Sequence, residues 1–537
     1  MTGAKRVTET GDLNSGNGEP IHIPVSIQPH GVLLAMAART GCISQISANT
    51  GPLFGMEAAE ILGRRLDQLF AGEDAQNLAH GLENPLLDEN PRHLVTVTAP
   101  GSGEALSATA HRSNGVSIVE FEPSADPRVA PFPYYPVVSA VTSRLKKAGS
   151  VEAIAQVAVE EVRRIAGFDR ILVYKFDEDW NGSILAEAAG ESMPSFRHLR
   201  FVASDIPQHT RKLYEMNRLH FIADASYEAV PLVPPIDPVT NKPLDLSFAT
   251  LRSAPPGHLG YLRDMGVASS ICVSLLADDG RVWGLLACHH PAPRRVPIHV
   301  RTACDVLAQI VANQIEMAEQ RETYEQRLRL TSLAARLLRF AAEEEYFIDG
   351  LTKHPDETLE FANAGGAAIL HEGRMTLLGA CPKVEDVWRL ADWLIEQGRE
   401  EIYHTDCLPH EIPDGERFCE RASGLLAISI SKLYRSYILW FRPEMVQTVS
   451  WAGNPQHAEN QPSDTRANAQ KSFETWRQTL HARSLPWTEA ELQAAGELRN
   501  AVIGIVLRKA EELGELNAEL QRSNRELEAF SYSVSHD

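Results

Sequence analysis

The sequence predicts a multidomain α+β protein: three mixed units of sheet and helix in tandem, joined by long helices and ending in a coiled-coil helix. Three observations carry this reading. The chain has 537 residues, 44% of them hydrophobic, enough for three or four domains with cores of their own. Strand-like runs alternate with helical patterns through three separate stretches. Between and after them lie helical patterns too long for an ordinary globular helix.

In chain order, the polar start MTGAKRVTETGDLNSGNG is expected to be disordered (residues 1–18) and has no apolar segment of a secretion signal. GVLLAMAA, CISQIS and HLVTVTA read as strands, with a helix expected around AAEILGRRLDQLF, and GVSIVEFEP closes the first unit. The proline-rich PSADPRVAPFPYYP (123–136) marks a boundary. A second unit opens with the helix VEAIAQVAVEEVRRIAG and continues with strands RILVYKF, SILAEAA, ICVSLLA and VWGLLACHH. Its excursion PLVPPIDPVTNKPLD, within 231–247, reads as too polar for a core. From about 298 to 340 a stretch without Gly or Pro reads as a helical spine. A third unit, with GAAILHEGRMTLLGA, GLLAISIS and SYILWFRPE, runs to about 510 and includes a polar loop from Asn454 to Ala469. In the last helix Leu513, Leu520, Leu527 and Val534 repeat every seven residues, with Leu516, Ser523 and Phe530 three later in each heptad. That a/d seam predicts a homodimer through the C-terminal helix.

Composition excludes several classes. A formal charge of −20 lacks the basic footprint of a nucleic-acid binder. No apolar run approaches the ~20 residues that span a bilayer. Cysteines 42, 272, 288, 304, 381, 407 and 419 form no CxxC pair, and an odd count fits a reducing compartment. A cytoplasmic protein with no metal site, no nucleic-acid partner and no membrane association is expected.

The ordered set EPIHIP…IQPHG, ASDIP, LDLSFATLRS, HLGYLRDMG, WGLLACHH, WFRPE and RSLPW resembles bacterial phytochromes across residues 19–510. The resemblance implies a PAS domain (19–128), a GAF domain (129–318) and a PHY domain (319–512). It also implies a figure-of-eight knot, with the N-terminal segment threading the loop that holds the 231–247 excursion, and a PHY tongue around 442–487. Residues 513–537 would begin a histidine-kinase dimerisation domain, where FSYSVSHD resembles a phosphoacceptor motif with His536 taking a phosphoryl group. The full-length protein would then be an ATP-dependent histidine kinase with a response regulator as partner. This chain, without an ATP-binding domain, is expected to be inactive as a kinase.

The family's ligand is a linear tetrapyrrole such as biliverdin. By resemblance, Asp205 of Asp205-Ile206-Pro207 offers a backbone carbonyl to the pyrrole nitrogens, with His258 beside them. Tyr174, Tyr214 and Tyr261 line the ring pocket, Arg252 grips a propionate, Ser270 is counted among the ligand-binding residues, and His289 bonds the carbonyl of the rotating ring. Ordinary core packing is the alternative for the tyrosines.

The departures fall in the same pocket. The attachment cysteine three residues ahead of Glu19 is Gly16, and the two other known thiol positions are Gly257 and Leu259. None offers a nucleophile. A second propionate arginine is His220, which lacks a planar charged fork. Cys272 replaces a hydroxyl residue, and sulfur is a poorer hydrogen-bond partner. In the tongue, Gln470 of AQKSF replaces an arginine that pairs with the ASDIP aspartate; Lys471 would point the other way on an extended segment. The expected function is the sensory input module of a phytochrome-like kinase, with covalent bilin attachment lost and light sensing impaired or absent. The alternatives are a red/far-red photoreceptor holding biliverdin non-covalently, or a light-independent thiol redox sensor using Cys272, Cys288 or others; biliverdin is thus non-covalent when bound, and an empty pocket is the other possibility.

Overall fold

A computed structural model describes residues 21–37, 41–88, 91–124, 134–191, 193–238, 241–398, 401–431, 435–452 and 475–536. Gly16, Gln470, Lys471, the segment 1–18 and the loop 454–469 therefore lie outside the described residues. Two compact units are present, one of residues 1–319 with 450–477, the other of 320–449 with 478–537.

The first unit carries two sheets. Strands β1 (Ser26–Ile27), β2 (Val32–Ala37), β3 (Ile43–Ser47), β4 (Arg92–Thr98), β5 (Ala105–Ser113) and β6 (Val116–Pro123) are joined by a distant strand, β11 (Val230–Val233), in the order β1-β11-β3-β2-β6-β5-β4. Phe54, Phe70 and Phe121 pack ring against ring in its core. The expected helix over AAEILGRRLDQLF is only a short turn at Ala58–Ile61 and a 3-10 turn at Leu66–Gln68; the helix is Gly72–Leu82. Gly63, at φ +80°, turns the chain out of the helical path that the apolar spacing suggests. Strand β5 turns Leu106, Ala108 and Ala110 into this core, and its other face, with Ser107, Thr109 and His111, is buried as well, so polar residues at buried positions hide the strand in the sequence.

The second sheet comprises β7 (Arg170–Phe176), β8 (Gly182–Ala189), β9 (Leu199–Phe201), β10 (Leu219–Ile222), β12 (Ser269–Leu276) and β13 (Val282–His290), with β19 (Gln447–Ala452) and β20 (Thr475–Leu480) beyond β9. Its order is β10-β12-β13-β7-β8-β9-β19-β20. The helix Val151–Ala166 is capped by Ser150, which accepts from the Ala153 N–H, and closed by Gly167 at φ +66°. A further helix, Tyr134–Leu145, precedes it and was not expected from the sequence.

The excursion at 231–247 is not the polar surface loop that its composition suggests. Leu232, Leu244 and Leu246 are buried with Ile27, Leu33 and Leu251 in one cluster, and Asp237 is 2% exposed. The N-terminal segment supplies the cover. Ile27 pairs with Val230 on one side and bridges Arg252 on the other. The His22 carbonyl accepts from Leu246 N–H at 2.8 Å, and the Gln28 N–H donates to the Leu251 carbonyl at 2.7 Å. The N-terminal segment is thus bonded on both flanks, by the strand Val230–Val233 and by residues 246–252.

The second unit holds β14 (Gly366–His371), β15 (Arg374–Gly379), β16 (Ile402–Thr405), β17 (Gly424–Ser431) and β18 (Ser436–Arg442) in the order β15-β14-β18-β17-β16. Helix Val384–Glu396 buries Val387, Leu390, Ala391 and Leu394, the i, i+3, i+4, i+7 stripe of an amphipathic helix. The spine is a single helix, Ile298–Glu343, and the C-terminal helix runs Glu489–His536. Leu330, Leu333 and Leu337 of the spine share a core with Ala495, Leu498 and Val502 of the other. Beyond that core Leu513, Leu516, Leu520 and Leu527 are each 58–64% exposed. Among the described residues no helix is long and apolar enough to cross a membrane.

Candidate functional site

Strand register brings several of the candidate residues together. In antiparallel pairs, directly opposed residues lie side by side on one face of the sheet. His220 on β10 is opposite Cys272 on β12, so two of the altered positions are cross-strand neighbours. Ser270 is opposite His289 on β13, and His289 is opposite Arg170 on β7. Tyr174 is on β7 and Tyr214 on the helix Gln208–Met216. Gly257, His258, Leu259 and Tyr261 share the helix Pro256–Asp264, with Leu259 buried in an apolar cluster that includes Leu172, Phe201 and Leu262, and Gly257 exposed in the first turn.

Arg252 is the electrostatic centre. One Nη donates to the Ser247 carbonyl at 3.0 Å and, more weakly, to the Leu246 carbonyl, while the other meets His220 Nδ1 at 3.1 Å. No carboxylate of a described residue forms an ion pair with it; Asp245 and Glu120 act only from farther away, and burial pulls its pKa down to about 10. The backbone beneath it is fixed from two directions. Glu120, completely buried, accepts from the Thr250 and Leu251 N–H groups at 3.1 and 2.6 Å. Gln28 donates to the Phe221 carbonyl at 2.7 Å and accepts from Ala223 N–H.

His220 is neutral. Burial, and then the Arg252 guanidinium, push its pKa well below the ordinary value. Its ring lies edge-on to Tyr214 with centroids 4.9 Å apart, and its Nε2 is buried with no hydrogen-bond partner. Burial raises the Tyr214 hydroxyl well above its usual range, with Cys272, to which it is hydrogen-bonded, adding to the effect. Cys272 itself is pushed up to about 12 by burial and stays a thiol. His258, parallel to Tyr261 at 6.4 Å, is pulled down to about 4 by burial. Tyr174 and Tyr261 are raised by burial, and Asp205 adds to both, which puts that carboxylate within electrostatic reach of the two phenols. His289, 4% exposed, is held far below its usual value by burial and by Arg170.

The sequence reading missed two arginines that shape this site. Arg211 donates from Nε to the Ile206 carbonyl and from Nη2 to the Ala203 carbonyl, both at 2.9 Å, and stacks over Trp180, so it fixes the Asp205-Ile206-Pro207 turn. Arg170 is fully buried beside His289. A lone charge at the head of an apolar strand reads as solvated, and only the burial reveals it.

In the same sheet, β19 runs parallel to β9, with Trp451 opposite Arg200 and the guanidinium 5.4 Å from the indole centroid. Ala452, 3% exposed, joins Leu259 and Phe201 in the apolar cluster. Thiols are unpromising as redox groups here, since burial raises Cys288 well above its ordinary value and Cys304 to about 12. Among the described residues no group of His, Cys, Asp and Glu could hold a metal ion.

Comparison with known proteins agrees on one family. The chain matches the PAS fold over 17–124, the GAF domain over 150–319 and the phytochrome region over 330–511. It is 40% identical over 534 residues to cyanobacterial phytochrome B of Nostoc, covering 98% of this chain and 70% of that one. A bacteriophytochrome of Xanthomonas campestris is 32% identical, with 91% and 78% covered. Among solved structures, the photosensory core module of a Stigmatella aurantiaca phytochrome matches with a TM-score of 0.74 and 37% identity over 91% of this chain and 98% of that one. A bacteriophytochrome from R. palustris matches with 0.77 and 35%, over the same shares. From its fold and from relatives of this similarity, the chain belongs to the phytochrome family and is a phytochrome-type photosensory module.

Proposed function

We propose that this module holds a linear tetrapyrrole such as biliverdin without a covalent bond, and that its light response is impaired. One observation carries the reading: Arg252 is a half-buried guanidinium with carbonyl and imidazole partners but no carboxylate ion pair among the described residues. A cation partly withdrawn from water without a counter-ion pays for its lost hydration, and an anionic ligand would supply what it lacks. In this reading Arg252 grips one propionate, with Tyr214 and Ser270 alongside. Asp205 and His258 face the pyrrole nitrogens, Tyr174 and Tyr261 flank the rings with Ile206 and Pro207, and His289 donates to a ring carbonyl. The bilin would supply light absorption and double-bond isomerisation.

Non-covalent binding follows from Gly16, Gly257 and Leu259, which supply no thiol, and from Cys272, whose pKa near 12 leaves almost no thiolate. Impaired switching follows from Gln470. An arginine there would offer a charge-assisted contact of about 1.5–3 kcal/mol, and a glutamine about 1. Reconstitution with biliverdin tests this. The pigment should co-elute with the folded protein yet be fully extracted on denaturation, and illumination should give little stable photoconversion. A pigmented band on the denatured chain overturns the first part, and long-lived reversible photoconversion the second. Gly16→Cys should restore the adduct when the pocket is competent.

In the full-length protein the output would be a cytoplasmic histidine kinase with His536 as phosphoacceptor and a response regulator downstream. The exposed Leu513, Leu516, Leu520 and Leu527 support a parallel dimer. Leu520→Lys with Leu527→Lys should lower the mass seen by light scattering, and an unchanged mass would move the interface elsewhere.

A further inference from the structure

Arg170 has no place in the scheme above, yet the protein encloses it completely. It is 0% exposed, its Nε has no hydrogen-bond partner, and burial lowers its pKa. Glu187 is the nearby carboxylate, but it is occupied elsewhere: it accepts from Ser195 Oγ and from the Phe196 and Arg197 N–H groups, the latter two at 2.9 and 3.0 Å. The guanidinium instead lies 3.7 Å over the Phe196 ring, donates to the Pro194 carbonyl at 2.9 Å, and meets His289 Nδ1 at 3.1 Å. The register explains the last contact, because the two residues are directly opposed on β7 and β13.

A guanidinium has five donors and no acceptor. The His289 Nδ1 that it meets must therefore be the bare, accepting nitrogen, and a neutral imidazole then carries its proton on Nε2. We propose that Arg170 is a positioning residue that locks His289 as the Nε2–H tautomer, giving the pocket a fixed donor for a carbonyl oxygen of its ligand. The ligand half of this rests on the bilin reading; the tautomer half does not. Arg170 also opposes a second proton on His289, since two cations would then share one buried site. Burial and His258 oppose it too. The Arg252–His220 contact repeats the same geometry, again through Nδ1.

The test is nitrogen NMR of the full chain labelled with 15N-histidine and free of ligand, with His289 assigned by its loss in His289→Gln. His289 should have a protonated Nε2 and a bare Nδ1, unchanged from about pH 8 to about pH 5 although a free histidine titrates across that range. Arg170→Lys, which keeps a donor, should retain the tautomer. Arg170→Met should give a mixture of tautomers. A protonated Nδ1 in the unsubstituted chain, or an unaltered His289 in Arg170→Met, overturns the proposal. Should Arg170→Met fail to fold, the unsubstituted chain still decides, because an Nδ1–H cannot accept from arginine. With biliverdin added, Arg170→Met should also shift the visible band of the bound pigment. A chain that takes up no biliverdin would defeat the bilin reading and leave the tautomer result standing.

Discussion

Buried arginines have two kinds of partner in this protein. Arg301, 1% exposed, pairs with Glu122 at 2.6 Å, and Arg442, 3% exposed, pairs with Glu491 at 2.6 Å. Arg442 also donates to the Ala362 and Pro486 carbonyls and lies 3.7 Å over Trp487, bolting the end of β18 to the start of the C-terminal helix. Arg170, fully buried, and Arg252, half-buried, meet imidazoles and carbonyls instead. The first kind is electrically closed and structural. Arg170 is spent on positioning His289, whereas Arg252 has no carboxylate ion pair among the described residues, which is the condition for holding an anion rather than for holding the fold.

The comparison breaks most easily at the closed pairs. Glu491→Ala strands a buried guanidinium and should destabilise the second unit by about 3–5 kcal/mol, read as a large fall in thermal midpoint. Arg252→Met removes a cation that has no ion pair, so its effect on stability without ligand should stay near the ~1 kcal/mol of an ordinary hydrogen bond. Its effect should appear in biliverdin retention, as a loss of roughly tenfold or more, the value of one charge-assisted bond. Equal stability losses in the two variants would erase the distinction.

The smallest effect concerns pH and sharpens the closed side. Glu120 and Glu122 are two residues apart on β6 and are shifted oppositely. Burial raises Glu120 to about 7, whereas Glu122 falls to about 2 because Arg301 and His30 outweigh its burial. His111, whose Nδ1 is 4.0 Å from Glu120, is lowered to about 4 by burial. Between about pH 4.5 and 7 the folded Glu120 holds a proton that the unfolded chain has lost, so its contribution falls as pH rises. Between about pH 4 and 6.5 the unfolded His111 is protonated and the folded one is not, so its contribution rises with pH. The two slopes offset each other where they overlap. Glu120→Gln should uncover the histidine, giving a thermal midpoint that drops more steeply than the parent's as pH falls from about 6.5 to 4. Parallel profiles would show that Glu120 is ionised throughout.

What was legible in the sequence follows the distance over which each residue's environment is decided. The strands RILVYKF, ICVSLLA and VWGLLACHH are where their apolar runs put them, because local composition suffices for a buried sheet. The spine helix is equally plain from its lack of breakers. The strand Val230–Val233 was hidden, since its partner Ile27 is some two hundred residues away and a proline-rich run has no periodicity of its own. Family order proposes the ligand-binding residues one at a time, yet the contacts of Arg170 and Arg211 depend on register and on a turn, which no spacing in the sequence encodes.

The pairing of His220 with Cys272 across β10 and β12 bears on how the departures from the family pattern are weighed. Both side chains contact Tyr214, one through its ring and one through its hydroxyl. Substitutions at touching positions are not independent events: once the bulk and charge of one change, the other is the natural place for an accommodating change. In the bilin reading proposed above, the propionate clamp would then be a single repacked corner rather than two separate lesions, which favours a pocket refitted around its ligand over one in decay.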